Sequence, residues 1–192
     1  MNSPAVLVVV AGQAGAGRER FGAIVSERTG ARLLDMAAMM AASDEEMLPD
    51  EEDYASLLAV AGKALDAGQS VVVSGPFHSL ESRKEVMRIA SDAQSALLYV
   101  ECSANEEVRR RRVRDGLIAA EKLTGLEKRV ATLMSHDAKH AELRDEIPRA
   151  CQMLIDTTVG LALWAQLASC RVEAYVQVAP ATIEEPAALV AG

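Results

Sequence analysis

The stretch VLVVVAGQAGAGRER, residues 6–20, decides the fold of this 192-residue chain. Its first part, Val6–Ala11, is apolar throughout, which is typical of a strand buried on both faces of a parallel sheet. Gly12, Gly15 and Gly17 follow before a helical pattern, so the stretch predicts a strand, a glycine-rich turn and a helix. Small residues at such a turn let backbone N–H groups point inward and form an anion cradle at a helix N-terminus.

Outward from this stretch, short β-branched runs alternate with longer helical patterns. This alternation predicts an α/β fold in which a parallel sheet carries helices on both faces. Further strands are expected at residues 31–36, 70–74, 96–101 and 153–156.

The spacing of Ser103 and Glu106 predicts a capping box that opens a helix. After a last helix over residues 161–168, weak alternation over 172–178 predicts an edge strand, and a frayed tail is expected from residue 180.

Composition and charge restrict the function classes. Hydrophobic residues make up 50% of the chain and aromatic residues only 3%, so the core is aliphatic and base-stacking modules for single-stranded nucleic acid are disfavoured. The net charge of −8 makes the chain a poor ligand for nucleic acid or for anionic membranes. Three scattered cysteines and the lack of a basic segment before the first apolar run indicate a reduced, cytoplasmic protein.

The glycine turn follows part of the Walker A pattern G-x-x-x-x-G-K-[ST]. Gly12 and Gly17 match its glycines, whereas Arg18 replaces the lysine and Glu19 replaces the hydroxyl residue. The predicted phosphate-binding set is the whole turn and the start of its helix: Gly12, Gln13, Ala14, Gly15, Ala16, Gly17, Arg18, Glu19 and Arg20.

Several ordered segments carry a wider resemblance. They are the strand and glycine turn, GARLLD (30–35), AGQSVVVSG (67–75), ESRKE (81–85), YVEC (99–102), an arginine-rich helix and LIDTT (154–158). Over residues 5–170 the chain resembles the small P-loop kinases of the nucleoside-monophosphate-kinase fold. These include relatives of chloramphenicol phosphotransferase, gluconate kinase and the zeta toxins.

The resemblance implies a three-layer P-loop kinase fold with strand order 2-3-1-4-5 and a small mobile lid after the fourth strand. The kinase-like domain is expected at residues 1–171, with the lid at about 109–125 and the edge strand and flexible tail at 172–192. The resemblance also implies ATP, with Mg²⁺, as the cofactor of any catalytic member.

The departures from the family fall on its chemistry. The family lysine reaches the β- and γ-phosphates, and the hydroxyl ligates Mg²⁺. Arg18 keeps the positive charge in a bulkier planar group, whereas the Glu19 carboxylate repels a polyphosphate. Asp35 stands close to the family's acidic residue that activates the acceptor hydroxyl, so Asp35 and Arg18 are the catalytic candidates. Ser74-Gly75 replaces the family's Asp-Gly, and we identify no set of metal ligands.

Five arginines, Arg109–Arg112 and Arg114, lie on the helix that leads to the expected lid. In the resembled kinases this region supplies arginines that contact phosphates, and Arg114 shares a helix face with Arg110 and with Arg111. These three are the lid candidates, and Arg83 is the acceptor-side candidate by position. The alternatives are a solvated helix paired with the excess of acids, or an isolated nucleic-acid patch.

Three functions remain open. The first is a pseudokinase, or a nucleotide- or anion-sensing interaction module, whose eroded loop is plugged by Glu19, Arg18 or Arg20; its partner is an anionic small molecule or a protein. The second is an active kinase that phosphorylates a small-molecule hydroxyl. The third is metal-free group transfer of the sulfotransferase kind.

The acidic run at residues 44–53 is interpreted as a solvated loop before a helix.

Overall fold

The computed structural model describes residues 4–41, 49–140 and 145–177. The strands in these ranges are β1 (Val6–Gly12), β2 (Arg32–Asp35), β3 (Val71–Ser74), β4 (Ala96–Ser103) and β5 (Gln152–Asp156). The α-helices are α1 (Arg18–Thr29), α2 (Met36–Ala41), α3 (Glu51–Asp66), α4 (Leu80–Asp92), α5 (Glu106–Ala119), α6 (Leu126–His140) and α7 (Leu161–Gln177). None of the helices in the described ranges is long and apolar enough to span a membrane.

The five strands form one parallel sheet in the order β2-β3-β1-β4-β5. This confirms the three-layer α/β P-loop kinase fold, and the five strands predicted between residues 6 and 156 begin and end within two residues of the observed ones. The register pairs Val10 with Ser74, Ser74 with Asp35, and Gly12 with Cys102. The carboxyl ends of the strands therefore share one edge, and the glycine turn lies there beside the central strand, where open α/β sheets bind ligands.

Two apolar layers cover the sheet, and the side-chain alternation of β1 separates them. Leu7 and Val9 pack in a cluster with α3 and α4, while Val8 and Val10 pack in a second cluster with α1 and α7. Every residue of β1 is buried. The continuous apolar run is thus explained by burial on both faces, and the glycine turn follows directly from this fully buried strand.

Helices α5 and α6 form a third, smaller apolar cluster beyond the sheet edge. Val113, Val130 and Met134 are buried in it, and Ala14 of the glycine turn packs against them. The segment expected to form the lid, at about 109–125, corresponds to most of α5 and the turn into α6. These two helices therefore cover one side of the glycine turn.

The predicted edge strand over residues 172–178 is wrong. The last helix extends past the expected end at residue 168, and the predicted domain boundary at 171 falls inside α7. Ala165, Ala168 and Val172 are buried at helical spacing against the sheet, so the apolar pattern continues a helix. Residue 178 and the expected tail lie outside the described residues.

The predicted capping box at Ser103 is also wrong. Ser103 is the last residue of β4, and its hydroxyl donates to the carbonyl of Ile155 at 2.9 Å. Helix α5 is capped instead by Asn105, whose side-chain oxygen accepts from the N–H of Val108 at 2.9 Å. For the acidic run, Asp50 caps α3 by accepting from two N–H groups of its first turn, whereas residues 42–48 lie outside the described ranges.

Candidate functional site

The glycine turn adopts a backbone that only glycine accommodates readily. Gly12, Gly15 and Gly17 have φ angles of 143°, 73° and 85°. A Cβ atom on Gly15 would lie 2.4 Å from the carbonyl oxygen of Arg109, and one on Gly12 would lie 2.5 Å from that of Cys102. The glycines are therefore needed both for their conformation and because neighbouring backbone lies against them.

Two arginines of α5 bind carbonyl groups of the turn. The Arg109 side chain, which is buried, donates from Nε to the carbonyl of Ala14 at 3.0 Å. The Arg112 side chain donates from Nη1 to the carbonyl of Gly15 at 3.2 Å. Helix α5 therefore holds the middle of the turn through charged hydrogen bonds as well as through apolar packing.

Two further carbonyls of the turn bind side chains from other elements. The Thr157 hydroxyl, at the end of β5, donates to the carbonyl of Ala16 at 2.6 Å. Arg18 folds back from the start of α1 and donates from Nη1 to the carbonyl of Gly12 at 2.6 Å. Within the turn itself, the N–H of Ala16 donates to the carbonyl of Gln13 at 2.9 Å.

Glu19 forms an ion pair with the neighbouring Arg18, with 3.1 Å between Nη2 and Oε1. The Arg18 side chain is 12% exposed and the Glu19 side chain 43% exposed. The guanidinium of Arg18 thus has one oxygen partner in the turn and a carboxylate partner beside it. The next side chain, Arg20, is exposed.

A cleft of about 750 Å³ opens beside the turn. Its lining combines the turn, the start of α1, both helices of the third cluster and the loop after β5: Ala14, Gly15, Gly17, Arg18, Glu19, Arg20, Arg112, Val113, Gly116, Leu117, Leu133, Thr157, Thr158, Gly160 and Leu161. The lining contains three arginines, one carboxylate and several apolar side chains. Such a combination suits a ligand with an anionic group and an apolar body.

The other strand ends contribute polar groups of different character. The Ser74 side chain, at the end of β3, is buried, and its hydroxyl has no hydrogen-bond partner among the described residues. Burial raises the pKa of the Cys102 thiol well above its ordinary value, which favours the neutral thiol over the thiolate. Hydrogen bonds from the Thr158 side chain and backbone hold the pKa of the Asp156 carboxyl below its ordinary value.

Two of the predicted site residues make structural contacts outside the cleft. Asp35 is the last residue of β2, and its Oδ1 accepts from the N–H of Ala38 in α2 at 2.9 Å. Arg83 is fully buried; it donates to the carbonyl of Phe77 at 3.1 Å and pairs with Glu146. The expected roles of Asp35 as a base and of Arg83 on the acceptor side stay predictions.

The arginines of α5 divide between two faces of the helix. Arg110 pairs with Glu106 at 3.2 Å, Arg114 pairs with Glu127 at 2.5 Å, and all four side chains are exposed. Arg111 is exposed as well. The side chains that bind the turn are those of Arg109, Arg112 and Thr157, none of which is among the predicted site residues. The run of five arginines contains no sequence pattern that distinguishes Arg109 and Arg112 from the other three.

Comparisons with known proteins agree with this architecture. Residues 7–115 match the family model described as AAA domain. Among curated proteins, nothing matches the chain.

Three similar solved structures cover nearly the whole chain. A gluconokinase from Sinorhizobium meliloti 1021 has a TM-score of 0.63 at 19% identity, covering 92% of this chain and 96% of its own. The APS kinase of Mycobacterium tuberculosis in complex with AMPPNP and APS has a TM-score of 0.62 at 18% identity, covering 90% and 99%. A sugar kinase from Janibacter sp. HTCC2649 has a TM-score of 0.60 at 18% identity, covering 93% and 98%. These likenesses concern the fold.

Proposed function

The chain belongs to the AAA domain family and has a P-loop kinase fold, and from this premise we propose that it is a pseudokinase. In this proposal it binds a nucleotide or another phosphate-bearing small molecule in the cleft without transferring phosphate. The structure of the APS kinase of similar fold is that of a complex with AMPPNP and APS, which supports a nucleotide as the first ligand to test. The observation that carries the proposal is that the Arg18 guanidinium binds both the carbonyl of Gly12 and the carboxylate of Glu19.

The anion-binding half of the proposal rests on groups that line the cleft. The turn precedes α1, a helix of 12 residues whose N-terminus carries a partial positive charge. The side chain of Arg20 also lines the cleft. Val113, Leu117 and other apolar side chains line it as well, and they suit the body of a nucleotide more than free inorganic phosphate.

The lack of phosphoryl transfer rests on the two substituted positions. A transferring lysine must reach the terminal phosphates, whereas the Arg18 guanidinium is directed to a carbonyl of the turn and to Glu19. Glu19 places a carboxylate where a P-loop hydroxyl would hold Mg²⁺. Displacing this ion pair would leave a negative charge beside an incoming polyphosphate, which weakens its binding.

Magnesium, which the family implies, does not fit this chain. The end of β3 offers the buried hydroxyl of Ser74 instead of a carboxylate. We therefore derive no catalytic step through a metal.

Isothermal titration with ATP and with ADP, each with and without Mg²⁺, tests the proposal. We expect nucleotide binding that Mg²⁺ does not strengthen, and no phosphate transfer from ATP to added sugars or nucleosides. A thermal-shift series that includes a sulfate donor addresses group transfer, because a ligand that binds only the folded state raises its melting temperature. Micromolar, Mg²⁺-dependent ATP binding by the native chain would overturn the proposal in favour of an active kinase.

A double substitution, Arg18→Lys with Glu19→Ser, tests the cause. It restores the ammonium and the hydroxyl of the Walker A pattern, so we expect it to create Mg²⁺-dependent ATP binding. The matched control is Arg28→Lys with Glu27→Ser, which makes the same changes at the other end of α1. If the first double variant instead abolishes a phosphotransfer activity of the native chain, Arg18 and Glu19 are functional as they stand.

A further inference from the structure

Arg109, Arg112 and Thr157 have no role in the chemistry described so far, yet all three bind carbonyl groups of the glycine turn. We propose that they are positioning residues, which hold the carbonyls outward and thereby keep the N–H groups of the turn directed inward as an anion cradle. This inference rests on the proposed function, because it concerns the same anion site.

Peptide geometry supplies the first step. In a trans peptide unit the carbonyl of one residue points opposite to the N–H of the next. Fixing the carbonyls of Ala14, Gly15 and Ala16 therefore fixes the N–H directions of Gly15, Ala16 and Gly17. The N–H of Ala16 is used within the turn on the carbonyl of Gln13, so the proposed cradle consists of the N–H groups of Gly15 and Gly17. The glycines alone would leave these peptide units free to rotate, since glycine adopts either sign of φ with similar ease.

The second step is the connection among the three residues. Arg112 donates from Nη1 to the Thr157 hydroxyl at 2.8 Å and from Nη2 to the Thr157 carbonyl at 3.0 Å. The same Nη1 reaches Gly15, so one guanidinium joins α5, the turn and the loop after β5. A planar fork with several fixed donors suits this task, whereas an ammonium would satisfy fewer of these acceptors.

The third step is the division of arginines on α5. Arg109 is 8% exposed, and a Cβ on Gly15 would meet its backbone, so this face of the helix is packed directly on the turn. Arg110 and Arg114 lie on the exposed face in pairs with acids. The guanidinium groups that face the turn, those of Arg109 and Arg112, therefore bind backbone carbonyls. In this way they position the cradle from outside it.

The test compares variants that remove one arginine each. Arg112→Gln and Arg110→Gln make the same charge change two positions apart, and Arg88→Gln on α4 is a distant control. The probes are pyrophosphate affinity by calorimetry and hydrogen exchange of the amides at residues 13–17 without ligand. For Arg112→Gln we expect at least about tenfold weaker binding and about tenfold faster exchange, from the loss of charged hydrogen bonds. Arg88→Gln should change neither measurement.

Thr157 provides an independent pair of variants. Thr157→Val removes the hydroxyl at nearly constant volume, and Thr157→Ser keeps it. We expect faster exchange of the turn amides in the valine variant and near-native exchange in the serine variant. This pair also keeps the proposal testable if Arg112→Gln fails to fold.

The outcomes separate this inference from the proposed function. If the native chain does not bind pyrophosphate or nucleotide, the proposed function fails, while the exchange data still decide the positioning role. Equal loss of affinity in Arg110→Gln and Arg112→Gln would overturn the inference, because charge alone would explain it. Weaker binding in Arg112→Gln with unchanged exchange would overturn it as well, since Arg112 would then contact the anion directly.

Discussion

At the scale of single residues, the site depends on groups that contact backbone. Gly15 lies directly against the backbone of Arg109, and the carbonyl of Gly15 accepts from Arg112. A carbonyl of the turn accepts from Arg18, whose charge is also paired with Glu19. The shape of the turn is therefore determined by individual contacts, and each of them can be removed by one substitution.

We expect Gly15→Ala to lower the free energy of unfolding by about 2 kcal/mol or more, measured by urea denaturation. Its φ of 73° disfavours any side chain, and the new Cβ would lie 2.4 Å from the Arg109 carbonyl oxygen. Gly30→Ala is the matched control, with a φ of 71° and nothing within 4 Å of its Cβ position. The free energy of unfolding of Gly30→Ala should fall by only about 1 kcal/mol, because only the backbone conformation disfavours the new side chain. Equal losses in the two variants would show that the contact with α5 is unimportant.

At the scale of elements, Arg83 fastens the start of α4 to its surroundings. Its guanidinium donates to the carbonyls of Phe77 and His78 in the segment before the helix, and it pairs with Glu146. Phe77 has a φ of 49°, an unfavourable conformation for a bulky residue, and its N–H donates to the Tyr54 hydroxyl at 3.0 Å. Arg83 and Tyr54 together hold this strained segment in place from its two sides.

We expect Arg83→Met to lower the free energy of unfolding by about 3 kcal/mol, because it leaves Glu146 and buried carbonyls without the guanidinium. The control is Arg88→Met on the same helix, where the arginine side chain is 58% exposed and paired with Glu85 and Asp92. Exposed pairs contribute at most about 1 kcal/mol, so this variant should stay near native. A stable Arg83→Met protein that has lost ligand binding would instead support an acceptor-side role.

At the scale of the whole molecule, the sheet divides the core into two clusters that share only the strands. One contains Ile89 of α4 and the other contains Ile155 of β5, both buried. The site lies at the sheet edge where these layers meet the third cluster of α5 and α6. The position of the site is thus a property of the assembled layers.

We expect Ile89→Val and Ile155→Val each to lower the free energy of unfolding by about 1 kcal/mol. Because the sheet separates the two side chains, the double variant should lose the sum of the single losses to within about 0.5 kcal/mol. Denaturation with urea measures both quantities, and the m-value should stay constant across the variants. A coupling well above about 0.5 kcal/mol would show that the two clusters are not independent.

The positions of the strands were accessible from the chain alone, because apolar runs and the glycines that follow them depend on local sterics and periodicity. The central strand and the glycine turn are the clearest examples, and the order 2-3-1-4-5 followed from the family resemblance. The edge strand at 172–178 was mistaken because a short apolar pattern suits a strand or a helix. Packing of Val172 against the sheet is what selects the helix.

The substitutions at Arg18 and Glu19 are visible in the amino acids themselves, since a motif is a matter of residue type and spacing. Which arginines of α5 meet the turn is not, because five arginines in one helix point in several directions and the docking of α5 selects among them. The same holds for Arg83, whose burial comes from Glu146 and from carbonyls that only folding brings near. Residue chemistry sets what the loop can bind, and long-range packing sets which side chains shape it.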